Sequence, residues 1–241
     1  MFFALVEGTK IEALPKAKGI CPLCQRDVFA KCGEINVWHW AHQKGGSCDN
    51  WCEPETAWHK NWKIIFGKDF CEIIIKKEDV KHIADIRTQN DVVIELQNSP
   101  IQMPIIRRRE NFYGERMLWI INGLPFKHNF IIHSSNPHKK QEYYWSMNYE
   151  ENEHGTVDKN TGEIIPRPKK EFTFRWDWPR KSWSDVQRFT FIDFGDENLF
   201  WITEGMGTSH GWGREISKKD FLKKYGGDIT LITTIISSQT R

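Results

Sequence analysis

Two acidic side chains in the middle of the chain have a spacing that suits metal-dependent chemistry. Asp85 lies in one apolar segment, and Glu95 lies in the next, Val92–Gln97, where alternate residues point to opposite faces. A strand this apolar is expected to be buried on both faces, where an unpaired carboxylate costs several kcal/mol. Glu95 therefore needs a partner, and we favour a divalent ion, Mg²⁺ or Mn²⁺, shared with Asp85. An ion held in this way could support hydrolysis of a phosphodiester.

A second set of polar residues recurs at intervals of four: Glu55, His59 and Lys63. On a helix these residues share one face, and that face could point at Asp85 and Glu95. We expect Glu55 to bind the ion through water, and His59 and Lys63 to contact the phosphate. The alternative is a solvated stripe of paired charges.

Gln97 follows Glu95 by two residues and projects from the same face of the predicted strand. It could orient the attacking water or hold a phosphate oxygen, which completes the predicted catalytic set. A simpler interpretation exists for each strand residue. Asp85 could cap a turn, and Glu95 and Gln97 could form a polar face in water.

The cysteines and histidines near the N-terminus suit a zinc site. Cys21 and Cys24 form a C-x-x-C pair, and His39, His42 and Cys48 follow within 25 residues of it. A structural zinc takes four nitrogen or sulfur ligands, and we prefer His42 and Cys48 as the other two, with His39 as the alternate. Reduced, buried cysteines without a metal are the competing interpretation. The zinc would be structural rather than catalytic.

The composition limits the class of protein and its location. With 241 residues and 39% hydrophobic residues, the chain can form one large core with small additions. Clustered cysteines with nearby histidines favour a reducing compartment, so we expect a cytoplasmic protein. No run of about 18 apolar residues is present, and no membrane span is expected. The net charge of +2 means that a nucleic acid would have to bind a local basic patch.

Residues Arg107, Arg108 and Arg109 could form such a patch on a short helix that follows the proposed site. Arginines bind DNA mainly through phosphate contacts. Tyr113 lies on the same predicted helix and is assigned to the same nucleic-acid-binding surface. A solvated helix face is the alternative.

The predicted elements alternate between helices and strands. A helix is expected from Pro54 to about Phe66, where Gly67 ends it. The other expected elements are strands at 70–76, 80–87, 92–98, 117–122 and 130–133, a helix at 104–115 and a final helix at 218–225. This order predicts an α+β or α/β fold with a mixed sheet flanked by helices.

Composition suggests four parts. They are an N-terminal strand and zinc-binding module at 1–52, a core at 53–135, a polar linker or insertion at 136–170, and a Trp-rich, β-rich C-terminal extension at 171–241.

Several short motifs resemble those of the competence protein CoiA-like family. The matching segments are His39-Trp40-Ala41-His42, Cys48-Asp49, Glu55-x3-His59, Ala84-Asp85 and Val93–Ile101, followed by Arg109, Tyr113 and Leu118–Ile121. The resemblance covers about residues 19–122. It implies a zinc-binding N-terminal part followed by a restriction-endonuclease-like fold of the PD-(D/E)xK superfamily, and a role in DNA uptake and recombination.

The residues and the resemblance together predict a Mg²⁺- or Mn²⁺-dependent nuclease, in which Asp85, Glu95 and the Leu96 carbonyl hold the ion. One departure favours an alternative, because Gln97 stands where the superfamily usually has lysine. The alternative is a non-catalytic nucleic-acid-binding adaptor that recruits recombination proteins. Action on RNA, or in defence against foreign DNA, is a weaker third possibility.

Overall fold

The computed structural model describes residues 1–35, 37–43, 48–51, 53–133, 149–152, 155–158, 164–165, 171–233 and 236. Their strands form three sheets. Most of the predicted polar linker at 136–170 lies outside the described residues. Within that range the structure shows a three-stranded antiparallel sheet of β11 (Tyr149–Asn152), β12 (Gly155–Asp158) and β13 (Ile164–Ile165).

The N-terminal residues form a five-stranded antiparallel sheet in the order β2-β1-β3-β4-β5. Its strands are β1 (Phe3–Val6), β2 (Thr9–Glu12), β3 (Lys18–Ile20), β4 (Asp27–Lys31) and β5 (His39–His42). Strands β3, β4 and β5 were not predicted individually, because strands of three to five residues are too short to display a clear periodicity.

A nine-stranded mixed sheet forms the body of the molecule, in the order β10-β14-β17-β16-β15-β9-β8-β7-β6. Its strands are β6 (Cys71–Lys77), β7 (Val80–Arg87), β8 (Val93–Gln97), β9 (Met117–Asn122), β10 (Phe130–His133), β14 (Glu171–Trp176), β15 (Phe189–Asp193), β16 (Asn198–Glu204) and β17 (His210–Ser217). Strand β9 pairs in parallel with both β8 and β15, and the other pairs are antiparallel. The mixed sheet confirms an α+β architecture. The strands of the predicted C-terminal extension continue the same sheet as those of the predicted core.

The described α-helices pack on both faces of this sheet. They are α1 (Ala57–Phe66), α2 (Met103–Tyr113) and α3 (Lys218–Tyr225). Helices α1 and α3 bury Trp62 and Phe221 in one hydrophobic core. Helix α2 buries Ile106 in a second core, which also contains Trp119 and Trp176. Short 3₁₀ turns lie at Leu124–Asn129, Lys181–Trp183 and Ile229–Leu231.

Helix α1 begins later than the sequence predicted. The extended residue Thr56 is its N-cap, and the Thr56 hydroxyl accepts a hydrogen bond from the His59 N–H at 3.3 Å. Pro54 and Glu55 therefore precede the helix, although Pro54 was expected in its first turn. Gly67 ends the helix as predicted, with a φ of 78° that favours glycine.

The C-terminal half of the sheet fixes the position of α1. Asp193 at the end of β15 is fully buried, and its Oδ2 atom accepts hydrogen bonds from the indole N–H groups of Trp58 and Trp62, both at 2.9 Å. The other oxygen of Asp193 lies 2.7 Å from the ammonium of Lys218 on α3. Residues far apart in sequence thus hold the helix that carries His59 and Lys63.

Candidate metal-binding cleft

The N-terminal sheet brings four candidate zinc ligands together. The ligand atoms of Cys21, Cys24, His42 and Cys48 all lie within 4.8 Å of one another. The Cys21 and Cys48 sulfur atoms are 3.5 Å apart, and Cys24 Sγ is 3.2 Å from His42 Nε2. Three sulfurs and one imidazole suit tetrahedral zinc, so this Cys₃His cluster could bind it.

The alternate ligand, His39, lies outside the cluster. On strand β5 it is three residues from His42, so the two side chains point to opposite faces. His39 Nδ1 lies 2.8 Å from the Val37 carbonyl instead.

The thiols of the cluster differ in acidity without a metal. Burial raises the pKa of Cys21. At Cys24 burial also opposes ionisation, but hydrogen bonds from Arg26 and His42 together outweigh it and lower the pKa to about 6. Cys24 is therefore the thiol best prepared to bind a cation as a thiolate.

A second site opens where strands β7 and β8 separate. Their pairing joins Ile86 to Ile94 and Arg87 to Val93. The cleft beyond this point has a volume of about 500 Å³, counting the solvent at its mouth. It is lined by Met1, Trp51, Glu53, Glu55, His59, Lys63, Glu72, Ile83, Asp85, Glu95, Leu96 and Arg109.

At this opening, contacts made by the side chains of Asp85 and Glu95 take the place of backbone hydrogen bonds between the two strands. These two acids are the next residues in the register after Ile86 and Ile94. The Asp85 Oδ2 atom accepts a hydrogen bond from the Leu96 N–H at 3.0 Å, and Glu95 Oε1 lies 3.4 Å from the Asp85 nitrogen. Each carboxylate thus reaches across to the backbone of the other strand, and both side chains line the same cleft.

Glu95 is a buried acid with a strongly perturbed proton affinity. It is 2% exposed, and its Oε2 atom lies 2.9 Å from Arg109 Nη1. Burial and the nearby charge of Asp85 raise the pKa of Glu95 to about 8, even though Arg109 acts in the opposite direction. A further cation near the two carboxylates would stabilise the ionised form.

Lys63 gathers the acidic groups on the other side of the cleft. Its ammonium lies 2.9 Å from Glu55, 3.0 Å from Glu72 and 3.3 Å from Asp85. Burial disfavours the charged amine, but these carboxylates outweigh it and raise the pKa of Lys63 well above its ordinary value. Lys63 therefore remains a cation, and its three N–H groups face carboxylates. Glu55 reaches it from the residues that precede α1.

Glu72 belongs to this site, although it was not among the site residues predicted from the sequence. Its φ of 48° is left-handed, which costs a non-glycine residue about 1–2 kcal/mol. Its two oxygens accept hydrogen bonds from the N–H groups of Phe2 and Phe3 at 2.6 and 2.8 Å. Burial opposes ionisation of Glu72, but Lys63 and these N–H groups lower its pKa to about 2. The sequence signal was an acid inside the apolar run 70–75.

His59 and Gln97 contact a second acid, Glu53, which was not among the site residues predicted from the sequence. His59 Nε2 lies 3.3 Å from the Leu96 carbonyl oxygen and 3.6 Å from Glu53 Oε2. The Gln97 amide donates to Glu53 and to the Ser99 carbonyl. Gln97 is fully buried and is absent from the described residues that line the cleft, so it acts there only through Glu53.

The predicted DNA-binding residues of α2 fall on two different faces. Arg107 and Arg108 are exposed, and Arg107 pairs with Asp185. Arg109 and Tyr113 are 5% and 8% exposed, so these two side chains lie on the buried face of α2. Their positions on the inner face follow from the helical period, which places residues four apart on the same side.

Together the two sites define an α+β protein with a candidate Cys₃His metal site at its small sheet and a carboxylate-lined cleft in a larger mixed sheet. Residues 6–50 match the family model of the competence protein CoiA N-terminal domain. Over these residues the chain is similar to the competence protein CoiA family. No significant match was found among curated proteins or among solved structures. The matched residues contain the Cys₃His ligands, and the cleft carboxylates follow them in the chain.

Among the described residues, no helix combines the length and the apolar character that crossing a membrane requires.

Proposed function

We propose that the chain is a metal-dependent nuclease that hydrolyses DNA phosphodiesters during uptake or recombination, with the β7–β8 cleft as its active site. The observation that carries this proposal is the reciprocal contact of Asp85 and Glu95 with each other's strand. It sets two carboxylates side by side in one cleft, as the PD-(D/E)xK resemblance implies. The restriction-endonuclease-like assignment of the sheet is part of the same proposal.

The donor set of the cleft fits a hard divalent cation. Among the residues that the structure describes, five carboxylates line it (Glu53, Glu55, Glu72, Asp85 and Glu95), whereas the cationic groups are Lys63, Arg109 and the amino group of Met1. This excess of carboxylates, with a backbone carbonyl at Leu96, offers the oxygen ligands that Mg²⁺ and Mn²⁺ prefer. A bound ion would supply an activated water and charge stabilisation at the phosphate.

Each residue of the site has a distinct task in this proposal. Asp85, Glu95 and the Leu96 carbonyl bind the ion. Arg109 orients Glu95 through their 2.9 Å contact, and Lys63 holds Asp85 at 3.3 Å. Both cations keep these carboxylates in place before metal and substrate arrive.

Lys63 also supplies the cleft with a lysine side chain, which position 97 does not provide. The PD-(D/E)xK superfamily usually has a lysine there, but this chain has Gln97, which is fully buried and contacts Glu53. In this structure a lysine ammonium group enters the cleft from helix α1 instead. We assign Lys63 the role of positioning the carboxylates, since its N–H donors face Glu55, Glu72 and Asp85. The contact with phosphate is assigned to His59 alone.

Substrate would lie across the open side of the cleft. We assign His59 to a phosphate oxygen, because its Nε2 atom lies 3.3 Å from the Leu96 carbonyl oxygen that we assign to the ion. Arg107 and Arg108 on the exposed face of α2 are proposed to bind the DNA backbone. The Cys₃His zinc is proposed to be structural, and its reduced thiols are consistent with a cytoplasmic protein.

The direct test is cleavage of single- and double-stranded DNA with Mn²⁺ or Mg²⁺. We expect Asp85→Asn and Glu95→Gln each to reduce the rate at least about 100-fold. The matched controls are Asp196→Asn and Glu204→Gln, which change exposed acids of the same type outside the cleft. Circular dichroism must show that the variants are folded. Full activity of folded Glu95→Gln would remove the proposed role of Glu95.

A second function is favoured by one observation, the internal pairing of the site. Arg109 and Lys63 already contact Glu95 and Asp85, so the cleft is electrostatically partnered without a metal. A non-catalytic adaptor that binds nucleic acid and recruits recombination proteins would need no more than this. Calorimetric titration with Mn²⁺ separates the two functions, because an adaptor should show no binding that is lost in Asp85→Asn.

A further inference from the structure

A buried acid connects the Cys₃His cluster to the β7–β8 cleft. Asp49 directly follows the ligand Cys48, and it is 3% exposed. Its Oδ2 atom accepts a hydrogen bond from the Ile83 N–H at 2.8 Å, and its Oδ1 atom lies 2.9 Å from His82 Nδ1. His82 and Ile83 belong to strand β7, three and two residues before Asp85.

A second chain of contacts leads from the same acid to Glu95. The Trp51 N–H donates to Asp49 Oδ1 at 3.0 Å, and the Trp51 ring stacks on His82 with an interplanar angle of 8°. The Trp51 carbonyl accepts a hydrogen bond from Arg109 Nη2, and Arg109 contacts Glu95 through Nη1. Trp51 itself lines the cleft.

The carboxylate of Asp49 thus meets donors from two backbone N–H groups and one imidazole, and it is fixed in orientation. Consecutive Cα atoms are only about 3.8 Å apart. Any ion that fixes Cys48 therefore limits where Asp49 can lie, and through Asp49 it limits strand β7 and Trp51. Loss of the ion releases Cys48 and removes this restraint at once from the supports of Asp85 and Glu95.

We propose that Asp49 is a positioning residue through which metal binding at the Cys₃His cluster shapes the cleft, so that the zinc sets the cation affinity of the cleft as well as the stability of the small sheet. The proposal rests on the proposed function of the cleft for its effect on cation binding. Its effect on strand β7 follows from the Asp49 contacts alone. The coupling between two such sites is typically about 5–150-fold in affinity.

The test compares wild type with Asp49→Asn, which keeps all four zinc ligands but puts an amide group where a carboxylate accepted hydrogen bonds. Cys24→Ser removes one ligand. Asp27→Asn is the matched control, since Asp27 is an exposed acid on β4 of the same small sheet. Three quantities are measured: zinc content by elemental analysis, amide hydrogen exchange along Val80–Arg87, and the affinity of zinc-loaded protein for Mn²⁺ by calorimetry.

We expect Asp49→Asn to retain about one zinc per chain, while its β7 amides exchange at least about tenfold faster and its Mn²⁺ affinity falls about 5- to 100-fold. Zinc-free Cys24→Ser should show the same two changes, and the double variant should add little to either single change because both act through one connection. Asp27→Asn should match wild type in all three measurements.

Wild-type exchange and wild-type Mn²⁺ affinity in Asp49→Asn would overturn the proposal, whether or not Cys24→Ser folds. Unchanged β7 exchange in folded, zinc-free Cys24→Ser would overturn it as well. If wild type binds no Mn²⁺ but Asp49→Asn and zinc removal still accelerate β7 exchange, the proposed function of the cleft fails and the positioning role of Asp49 stands.

Discussion

The ammonium of Lys63 lies 3.3 Å from Oδ1 of Asp85, the carboxylate that we assign to the metal ion. This contact joins helix α1 to strand β7, and Glu55 and Glu72 complete the ring of acids around the amine. The three carboxylates repel one another, and the buried ammonium group of Lys63 offsets this repulsion by favouring their ionised forms. Lys63 thus prepares an oxygen-rich site while neutralising part of its charge.

Replacing Lys63 with methionine should destabilise the protein strongly. The variant would leave buried Glu55 and Glu72 without their shared partner, and breaking a buried ion pair costs about 3–5 kcal/mol. The free energy of unfolding is measured by urea denaturation. Lys60→Met is the control on the same helix, because its contact with Glu12 is partly exposed and should contribute only about 0–1 kcal/mol. Equal losses in the two variants would contradict this prediction.

The stability of the metal-free protein should depend on pH through Glu95. Its pKa is about 8 in the folded chain, compared with an ordinary value of 4.5, so the folded state holds the proton more tightly. This contribution is fully present at low pH and is lost as the pH rises toward 8, with a slope of up to about 1.4 kcal/mol per pH unit.

Urea denaturation between pH 5 and 9 measures this slope as the difference between wild type and Glu95→Gln. The free energy of unfolding of wild type minus that of Glu95→Gln should decrease as the pH rises, and it should become constant above pH 8. A difference that stays constant over this range would show that Glu95 is ionised throughout. Mn²⁺ binding, if it displaces the Glu95 proton, should strengthen as the pH rises over the same interval.

Protein purified without chelator should contain about one zinc per chain. Cys21→Ser should lose the metal and lower the thermal unfolding temperature, because the cluster connects the strands of the small sheet and binding energy at such a site is folding energy. Cys32→Ser is the control, since Cys32 is a free thiol outside the four ligands. Zinc-free wild type with unaltered stability would refute the assignment.

The exposed arginines of α2 should contribute to DNA affinity without sequence preference. Removing Arg107 and Arg108 together should weaken binding and reduce the slope of log affinity against log salt by about one for each lost phosphate contact. Fluorescence anisotropy at several salt concentrations measures this slope, and Arg87→Ala, an exposed arginine on β7, is the control. An unchanged slope would exclude α2 from the interface.

Much of the local structure could be predicted from the sequence. Period-two alternation predicted strand β8, an apolar segment predicted β7, and Gly67 marked the end of α1. The predicted start of α1 at Pro54 was wrong. The side chain of Thr56 caps the helix, so its first residue is Ala57. The preferred four zinc candidates do come together, since three of them lie close to short antiparallel strands that neighbour one another.

Other members of the site could not be found from spacing. Glu72 contributes through a left-handed backbone conformation and through the N–H groups of Phe2 and Phe3, about 70 residues away. Arg109 was expected on a DNA-binding surface, but it turns inward because Glu95 accepts its guanidinium in the core. Such contacts depend on which elements are neighbours, and periodicity carries no information on that.

The sequence by itself determined the class of the elements, the acids of β7 and β8, and the cysteines and histidines that suit zinc, because these follow from local pattern and ligand chemistry. Only the tertiary structure decided that β7 and β8 separate at Asp85, and that Lys63 and Arg109 enter the cleft from helices on opposite faces of the sheet. It also decided that Asp49 joins the Cys₃His cluster to β7. The physical reason is that buried charges must find partners of opposite sign or hydrogen-bond donors, and those partners are chosen by packing in space rather than by separation along the chain.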